Sequence, residues 1–325
     1  MLEAGRIPLI SIVAPMWNEE QTVDAFLTEV MAVVQRQPKY EFEVLLVDDG
    51  SHDGTVDRVQ SWITRYSQIR LVELSRNFGH QAAITAGVFE ARGDAVVVMD
   101  SDLQDPPSVV PELIQAWCDG ADVVYAVRRQ RQGDSLFKRG TARLYYRLLR
   151  SLSDTDIPAD TGDFRLMSRR VVETLRNMPE RDRFMRGMVA WVGFEQVPVY
   201  FDRDPRHAGE SKYPLRKMIR LALAGIVGFS DKPLYLAVTF GFVVLFLALL
   251  GVIYLILSLA LGFADVVRGW TSVVVSVMFF SAVQLIFMGV IGLYISRIFV
   301  EAKQRPLYLI KRDSLSDDGI APPAS

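Results

Sequence analysis

Residues 94–107 read DAVVVMDSDLQDPP, and the fold can be worked out from this stretch. Residues 95–99 form an apolar run with the β-branched bias of a buried strand. Three carboxylates follow the run directly, and we predict that the last, Asp105, caps a helix with Pro106 at its first position. The acids would then lie at a strand-to-helix corner, where open α/β sheets bind ligands.

Strand-like and helix-like segments alternate through the first two-thirds of the chain, which is the pattern of a mostly parallel sheet. We find no internal repeat and no low-complexity linker, so residues 1–212 are predicted to form one α/β domain. The predicted strands are 9–14, 42–47, 69–74, 95–99 and 123–127, and the predicted helices are 20–35, 55–65, 81–91 and 106–118.

The composition argues against several classes of protein. The 325 residues carry a net charge of −2, so they have no basic excess to neutralise a nucleic acid. Cys118 is the only cysteine, which excludes an intramolecular disulfide and a cysteine-based zinc site. His52, His80 and His207 are too scattered to predict a metal triad. The first apolar run, residues 7–16, contains two prolines and lacks a basic leader, so we predict no signal peptide.

The mean hydropathy of +0.19 is high for a soluble enzyme, and the excess lies in the last third of the chain. No charged residue occurs in residues 233–264 or 269–296, and each run exceeds the roughly 20 residues that span a bilayer. We predict two transmembrane helices, at about 233–263 and 270–296. Core helices of a soluble protein are the alternative, which the length and uniform apolarity disfavour.

Basic residues flank the predicted hairpin on its outer sides, whereas its tip, residues 265–268, carries only Arg268. By the positive-inside rule, both termini are predicted to be cytoplasmic. Residues 213–232 are expected to form an amphipathic helix in the membrane interface, with a surface helix on the domain as the alternative. Residues 137–152 are a second candidate for either arrangement. Residues 301–325 are predicted to be a cytoplasmic tail.

Two further acid-rich corners follow predicted strands. Residues 15–20, PMWNEE, offer an aromatic ring and acids that can stack on and hydrogen-bond a base. Residues 47–55, VDDGSHDGT, offer acids that could bind a ribose or a base edge. A turn with a helix cap is the alternative for each. Because all three corners fall at carboxyl ends of predicted parallel strands, one shared crevice is the economical explanation.

Oxygen ligands for a divalent cation are available at the first corner. Asp100 and Asp102, supported by Gln104, are the hard ligands that Mg²⁺ or Mn²⁺ prefers, and a bound diphosphate could complete an octahedron. A solvated acidic turn is the alternative for this motif taken alone.

An ordered series of motifs runs through the chain. It comprises P-x-WNE at 15–19, DDGSxDGT at 48–55, SRNFG at 75–79, DxDLQDPP at 100–107, TGDFRL at 161–166 and GESKY at 209–213. The series resembles that of the polyprenyl-phosphate glycosyltransferases, inverting enzymes of glycosyltransferase family 2 related to dolichol-phosphate mannose synthase. The resemblance runs from about residue 7 to residue 312 and looks closest to the bacterial bactoprenol glucosyltransferases.

This resemblance implies an architecture. A GT-A catalytic domain, with a Rossmann-like and mostly parallel sheet, is followed by interfacial helices and a two-helix transmembrane hairpin. The corresponding boundaries are 1–212 for the catalytic domain, 213–232 for the juxtamembrane helix, 233–300 for the hairpin and 301–325 for the tail. An integral protein of the bacterial cytoplasmic membrane is implied, as is a homo-oligomer such as a tetramer.

The resemblance also implies a reaction, the transfer of glucose from UDP-glucose to the phosphate of undecaprenyl phosphate with the help of a divalent cation. GDP-mannose, UDP-GlcNAc and an aminoarabinose donor are alternatives. A processive polysaccharide synthase is disfavoured because the chain lacks its Gln-x-x-Arg-Trp signature. A non-catalytic membrane scaffold is disfavoured because it would not need three acidic corners on one sheet edge.

Residue roles follow by motif. The nucleotide sugar would be bound by Pro15, Trp17, Asn18, Glu19, Asp48, Asp49, Ser51, Asn77 and Ser101. The metal would be held by Asp100, Asp102 and Gln104. The phosphate groups and the acceptor would be bound by Arg128, Arg129, Arg206, Ser211 and Lys212, for which a solvated basic face is the alternative. The sequence departs from the commoner family pattern at Trp17 (usually Tyr), Ser101 (usually Ala) and His80 (often Lys or Gln), which leaves the donor open.

The resemblance implies that Asp163 is a candidate for a catalytic base, but the acceptor phosphate hardly needs one. A phosphate monoester is already largely dianionic at pH 7, because its second pKa is near 6. We therefore predict that Asp163 orients the acceptor phosphate or stabilises the developing oxocarbenium charge, and that Arg165 fixes it by an ion pair.

Overall fold

A computed structural model describes the chain over residues 6–128, 161–181, 183–201, 239–244 and 269–315, and at positions 246–247, 250, 253–254, 257 and 261. The predicted amphipathic helices at 137–152 and 213–232 lie outside these residues, as do Arg129, Arg206, Ser211 and Lys212. The chain divides into two compact units. One comprises Met1–Tyr146, Thr155–Lys212 and Gln304–Ser325, and the other Arg147–Asp154 and Tyr213–Lys303.

The first unit is built on an eight-stranded sheet. Its strands are β1 (Leu9–Met16), β2 (Glu41–Asp48), β3 (Ile69–Leu74), β4 (Ala95–Val98), β5 (Val123–Arg128), β6 (Thr161–Ser168), β7 (Gln196–Phe201) and β8 (Ile310–Asp313). Their order across the sheet is β7-β5-β6-β4-β1-β2-β3-β8. Strands β1 to β4 are mutually parallel and β7 is parallel to β5, whereas β6 and β8 run antiparallel to their neighbours. The predicted mostly parallel sheet is confirmed.

Helices cover both faces of this sheet. Those of the first unit are α1 (Val23–Gln35), α2 (Thr55–Ile63), α3 (His80–Glu90), α4 (Val110–Cys118), α5 (Arg169–Arg176) and α6 (Met185–Trp191). Successive strand residues point to opposite faces, so Ile10 and Ile12 pack in the layer with α1 and α4 while Val13 packs in the layer with α3. Burial on both faces explains why the central strands are mostly apolar.

The predicted helix cap at Asp105 is wrong. Residues Pro107–Val109 form a 3₁₀ turn and α4 begins only at Val110. A residue that precedes a proline is disfavoured from helical conformations, and Pro106 is extended, with φ −71° and ψ 123°. The buried Asp105 carboxylate instead turns back toward the Asp100 backbone N–H, which lies 3.5 Å from its Oδ2.

Part of the predicted C-terminal tail joins the sheet. Strand β8 pairs antiparallel with β3 at the sheet edge. Its last residue, Asp313, accepts hydrogen bonds from Arg70 of β3, with Nε–Oδ1 at 3.0 Å and Nη2–Oδ2 at 2.5 Å. Arg70 also contacts the buried Glu43 carboxylate at 3.3 Å. The chain that follows the apolar region is therefore anchored in the first unit.

The second unit contains the long helix α7 (Trp270–Ala302). Within it, Phe279–Ala302 has a mean hydropathy of 1.9, and it is the one helix among the described residues that is long and apolar enough to cross a membrane. Residues 239–244 are also helical, and the Phe240 ring meets the Phe287 ring of α7 edge-on, with centroids 5.9 Å apart. The predicted two-helix hairpin stays a prediction, because most of its first helix lies outside the described residues.

Candidate functional site

A cavity of about 440 Å³ opens at the carboxyl ends of β1, β2 and β4. These ends share one sheet edge because the three strands are parallel. Eight residues predicted from the sequence line the cavity: Pro15, Trp17, Glu19, Asp49, Asn77, Asp100, Ser101 and Asp102. Four that were not predicted join them: Met16, Gly79, His80 and Ala83. The three acidic corners thus meet in one crevice.

Asn18 and Ser51 tie the first two corners together and do not line the cavity. The Asn18 backbone N–H donates to Ser51 Oγ at 2.9 Å, and its side-chain Oδ1 accepts the His52 backbone N–H at 2.9 Å. Asn18 has a positive φ of 55°, a conformation that asparagine tolerates better than most residues. Both side chains therefore shape the loops.

The adjacent acids Asp48 and Asp49 have different surroundings. Asp48 is buried away from the cavity and faces the Ser51 backbone N–H, with its oxygens 3.1 and 3.3 Å away. Asp49 reaches the cavity while accepting the backbone N–H groups of Phe78 and Gly79 at 2.7 and 2.9 Å. Burial raises the pKa of Asp49 despite these hydrogen bonds.

Gly50 allows the loop of Asp49 to approach the loop that carries Asn77. It has a φ of +69°, and a Cβ atom there would lie 2.6 Å from the Arg76 carbonyl carbon. A side chain at this position would push the two loops apart. The DDG sequence is thus explained by packing as well as by chemistry.

Asp100 has a covered oxygen with no hydrogen-bond donor among the described residues. Its side chain as a whole keeps 36% exposure, but Oδ1 is buried, and the nearest cationic group is His80 Nε2 at 3.5 Å. Burial, followed by the nearby Asp105 carboxylate, raises the pKa of Asp100 to about 6. A covered carboxylate oxygen without a partner is costly, and a bound cation would satisfy it.

The other acid of this corner, Asp102, is exposed, and its Oδ1 accepts the Gln104 backbone N–H at 3.0 Å. Leu103 between them has a positive φ of 59°. The Gln104 side chain does not line the cavity. Among the described residues, no three His, Cys, Asp or Glu side chains form a metal-binding group. Two protein carboxylates are therefore available here, and further ligands would have to come from a substrate or water.

Strand register brings Asp163 to this corner. Val98 of β4 pairs with Arg165 of the antiparallel β6, so continuing the register by two residues sets Asp163 opposite Asp100. His80, the first residue of α3, lies between the two carboxylates, with Nε2 3.5 Å from Asp100 Oδ1 and 3.5 Å from Asp163 Oδ2. Its interaction with Asp163 raises the pKa of His80.

Arg186, and not the predicted Arg165, makes the ion pair with Asp163. It donates from Nε to Oδ1 at 2.7 Å and from Nη2 to Oδ2 at 2.9 Å. Burial opposes ionisation of Asp163, which is 4% exposed, but the hydrogen bonds from Arg186 and His80 outweigh it and hold the pKa well below its usual range.

Arg165 points back along its own strand. Its Nη2 donates to the Gly162 carbonyl oxygen at 2.9 Å. Burial lowers the pKa of Arg165 to about 10. Arg165 therefore influences Asp163 through its charge and not through a hydrogen bond.

Gln81 supports the same carboxylate. Its side-chain Nε2 lies 3.5 Å from Asp163 Oδ2, and its Oε1 accepts the Met185 backbone N–H at 3.0 Å, so it also fixes the start of α6. No sequence motif predicts a role for Gln81 or Arg186, because only the packing of α3 and α6 on the sheet brings them to β6.

Arg128 is the one predicted phosphate-binding residue in the part of the chain that the structure describes. It ends β5, in register with Phe201 of β7. Because β5 and β4 both run antiparallel to β6, Arg128 lies at the same sheet edge as the acidic corners.

The chain is similar in sequence to known glycosyltransferases. The model of a family described as glycosyl transferase family 2 matches residues 11–176. An uncharacterized glycosyltransferase of Bacillus subtilis, YkcC, is 45% identical over 93% of this chain and 93% of its own. The bactoprenol glucosyl transferase of Shigella phage SfV is 41% identical over 94% of this chain and 98% of its own.

Among solved structures, a mannosyltransferase from Pyrobaculum calidifontis, determined with GDP-Man and Mn²⁺, superposes with a TM-score of 0.50 at 19% identity. The match covers 69% of this chain and 64% of that one, so this chain spans less than two thirds of its length. At this identity the likeness concerns the fold.

Proposed function

The chain belongs to glycosyl transferase family 2, and we propose that it transfers glucose from UDP-glucose to the phosphate of a bacterial polyprenol such as undecaprenyl phosphate. The product would be a lipid-linked glucose that can serve as a donor for cell-envelope glycans. One observation carries the proposal. The relative named bactoprenol glucosyl transferase matches 94% of this chain, so the match extends over both the sheet unit and the apolar C-terminal region.

The cavity suits a nucleotide. Trp17 is 53% exposed at the rim of the cavity, where its ring can stack on a base. Glu19 and Asp49 line the same cavity and offer hydrogen-bond acceptors. Asn77 and Ser101 line the same space. A uridine seated against Trp17 would direct its diphosphate toward Asp100 and Asp102.

Asp100 and Asp102 fit a divalent cation, Mg²⁺ or Mn²⁺, shared with the diphosphate. The covered Asp100 Oδ1 supports this assignment because it lacks a hydrogen-bond donor among the described residues. Gln104 belongs to the same loop and would assist through its amide oxygen. When bound, such a cation neutralises negative charge on the departing nucleoside diphosphate.

The acceptor phosphate would attack the anomeric carbon as the bond to the UDP oxygen breaks, which inverts the configuration at that carbon. A dianionic phosphate needs no base. The carboxylate of Asp163 is poorly suited to be one, since Arg186 engages both of its oxygens and its pKa is low. We infer that Asp163 stays anionic, orients the reacting groups and stabilises positive charge that develops on the sugar.

Chain connectivity supports the predicted hairpin. Strand β7 precedes the apolar region and β8 follows it, and both belong to one sheet. A chain that begins and ends on one side of a bilayer crosses it an even number of times. We infer a second crossing beside the candidate span Phe279–Ala302, and the uncharged residues 233–264 are long enough to supply it. The contact between Phe240 and Phe287 agrees with two adjacent helices.

The remaining assignments follow from this arrangement. The sheet unit and both termini would lie in the cytoplasm, where nucleotide sugars are available, with the protein integral to the bacterial cytoplasmic membrane. Arg128, Arg129, Arg206, Ser211 and Lys212 would bind the acceptor phosphate at headgroup depth. A homo-oligomer is part of the same proposal.

The test is release of UDP by the purified full-length protein. We expect release from UDP-glucose only when both undecaprenyl phosphate and Mg²⁺ or Mn²⁺ are present. Parallel reactions with GDP-mannose and UDP-GlcNAc establish the donor. Lipid-independent release with growth of a long polymer would favour a processive synthase, and no release from any donor would refute transferase activity.

A further inference from the structure

His80 lies between the cavity and the buried carboxylate of Asp163. Its side chain is 49% exposed and lines the cavity, whereas Asp163 is 4% exposed and is not among the lining residues. A molecule in the cavity therefore meets the imidazole before it meets Asp163. His80 was not among the residues expected from the motifs to bind substrate.

The His80 side chain is restrained on the side that faces Asp163. Its Nε2 lies 3.5 Å from Asp163 Oδ2, and Asp163 is itself fixed by two hydrogen bonds from Arg186. Gln81, the next residue of α3, also approaches Asp163 and accepts the Met185 backbone N–H. Side chains restrained in this way are pre-organised, which is what substrate contacts require.

The position of His80 along the cavity indicates which part of a donor it would meet. With the base at Trp17 and the diphosphate at Asp100 and Asp102, a nucleotide sugar places its hexose beyond the diphosphate. His80 Nε2 is 3.5 Å from Asp100 Oδ1, on the side of Asp100 that faces Asp163. The hexose must occupy this region if it is to react near Asp163.

We propose that His80 contacts the hexose of the nucleotide-sugar donor through its imidazole, and that Asp163, held by Arg186, positions that imidazole. This rests on the proposed function, because it assumes a nucleoside-diphosphate hexose in the cavity. The imidazole can hydrogen-bond a sugar hydroxyl. A site built to make such a bond discriminates strongly against a ligand that lacks it.

The experiment compares the affinities of the intact donor and of its nucleotide alone. Calorimetric titration of the detergent-solubilised full chain uses UDP-glucose and UDP, or whichever other nucleotide sugar the wild type binds more tightly, with Mg²⁺ present. For His80→Ala we expect the Kd of the nucleotide sugar to rise about tenfold and the Kd of the nucleotide to change less than about twofold. His80→Gln, whose amide can both donate and accept a hydrogen bond, should recover part of the loss.

His52→Ala is the matched control. His52 is exposed on a neighbouring loop, does not line the cavity, and contributes its backbone N–H to Asn18. This variant should bind both ligands like the wild type. Equal weakening of nucleotide sugar and nucleotide by His80→Ala would show a role at the diphosphate or in the fold, and unchanged affinities would show no role. Either result overturns the proposal.

The binding comparison separates this inference from the proposed function. A wild type that binds a nucleotide sugar but releases no UDP with polyprenyl phosphate would refute the acceptor while leaving the His80 comparison readable. A wild type that binds no nucleotide sugar refutes both.

Discussion

At the residue scale, the site is organised around a covered carboxylate oxygen. Asp100 is the second residue after β4, so the end of the strand positions its backbone, and Oδ1 is enclosed without a hydrogen-bond donor among the described residues. Burial, followed by the nearby Asp105 carboxylate, raises the pKa of Asp100 to about 6, because both disfavour its charged form. We interpret the arrangement as one half of a cation and diphosphate site, with Asp102 as the other half.

Removing either acid should abolish metal-dependent transfer. We expect Asp100→Ala and Asp102→Ala to lower kcat/KM by at least about a hundredfold, because a lost ligand weakens stabilisation of the departing diphosphate. Both variants should still insert into the membrane, since α7 and its flanking residues are untouched. Metal titrations of UDP release, with extraction of the membrane fraction as the control, measure both properties. Near-normal turnover of either variant would refute the metal assignment.

Asp163 allows a second test, which concerns its role as an anion. Asp163→Asn keeps the size of the side chain but loses the charge that pairs with Arg186. We expect kcat to fall more than about tenfold while the donor KM changes less, because orientation and charge stabilisation act in the transition state. Steady-state kinetics at varied donor concentration give both values. A fall of less than about tenfold would contradict even a positioning role.

The sequence identified the acids of the site better than their partners. Asp100, Asp102 and Asp49 follow apolar runs, and parallel strands bring such positions to one edge. Arg186 was missed because its contact with Asp163 depends on how α6 packs against α3 and β6. Arg165 was expected to make this ion pair, but its guanidinium donates to the Gly162 carbonyl oxygen instead.

At the scale of elements, β8 joins the segment that follows the apolar region to the sheet by pairing with β3. The carboxylate of Asp313 pairs with the nearly buried Arg70, which also contacts Glu43. Burial opposes ionisation of Asp313, but the hydrogen bonds from Arg70 outweigh it and lower its pKa below the usual 3.8. A depressed carboxylate pKa stabilises the fold above the unfolded value and loses that contribution as the pH falls through the folded value.

We therefore expect Asp313→Ala to lower the free energy of unfolding by about 1.5–3 kcal/mol at pH 7, because it removes two charge-assisted hydrogen bonds from the buried Arg70, which keeps its contact with Glu43. The difference from the wild type should shrink as the pH falls below 3.8. Chemical denaturation of the solubilised chain at several pH values measures it. Lys311→Ala on the same strand is the control, because the Lys311 ammonium is exposed and Glu73 keeps Arg312 nearby, so the Lys311 pair contributes at most about 1 kcal/mol. A pH-independent difference would contradict the role of this ion pair.

Strands β1 to β5 were predictable within about two residues because they are buried on both faces and read as apolar runs. Strand β8, with the sequence IKRD, does not read as a strand because it lies at an edge and exposes Lys311 and Arg312. Strand β6 mixes Asp163 and Arg165 with apolar residues, since one of its ends belongs to the site. The start of α4 was misplaced because two successive prolines delay the helix.

At the scale of the whole molecule, the proposed hairpin predicts that its tip and the C-terminal segment lie on opposite sides of the membrane. Labelling of single cysteines tests this. In a Cys118→Ser background, a cysteine at position 266, in the predicted tip of the hairpin, should react with a membrane-impermeant maleimide in spheroplasts. A cysteine at position 316 should react only after lysis, as should the exposed native Cys118 in its own background. Protection of position 266 until lysis would rule out the hairpin.

Mass spectrometry of the lipid product tests the proposed transfer of glucose to the polyprenyl phosphate. Wild-type protein, UDP-glucose, undecaprenyl phosphate and Mg²⁺ are incubated, and the lipid fraction is compared with an Asp100→Ala reaction. We predict a lipid heavier by one hexose residue in the wild-type reaction and its absence from the variant. If undecaprenyl phosphate stays unmodified with every nucleotide sugar that the wild type binds, the proposed transfer is wrong.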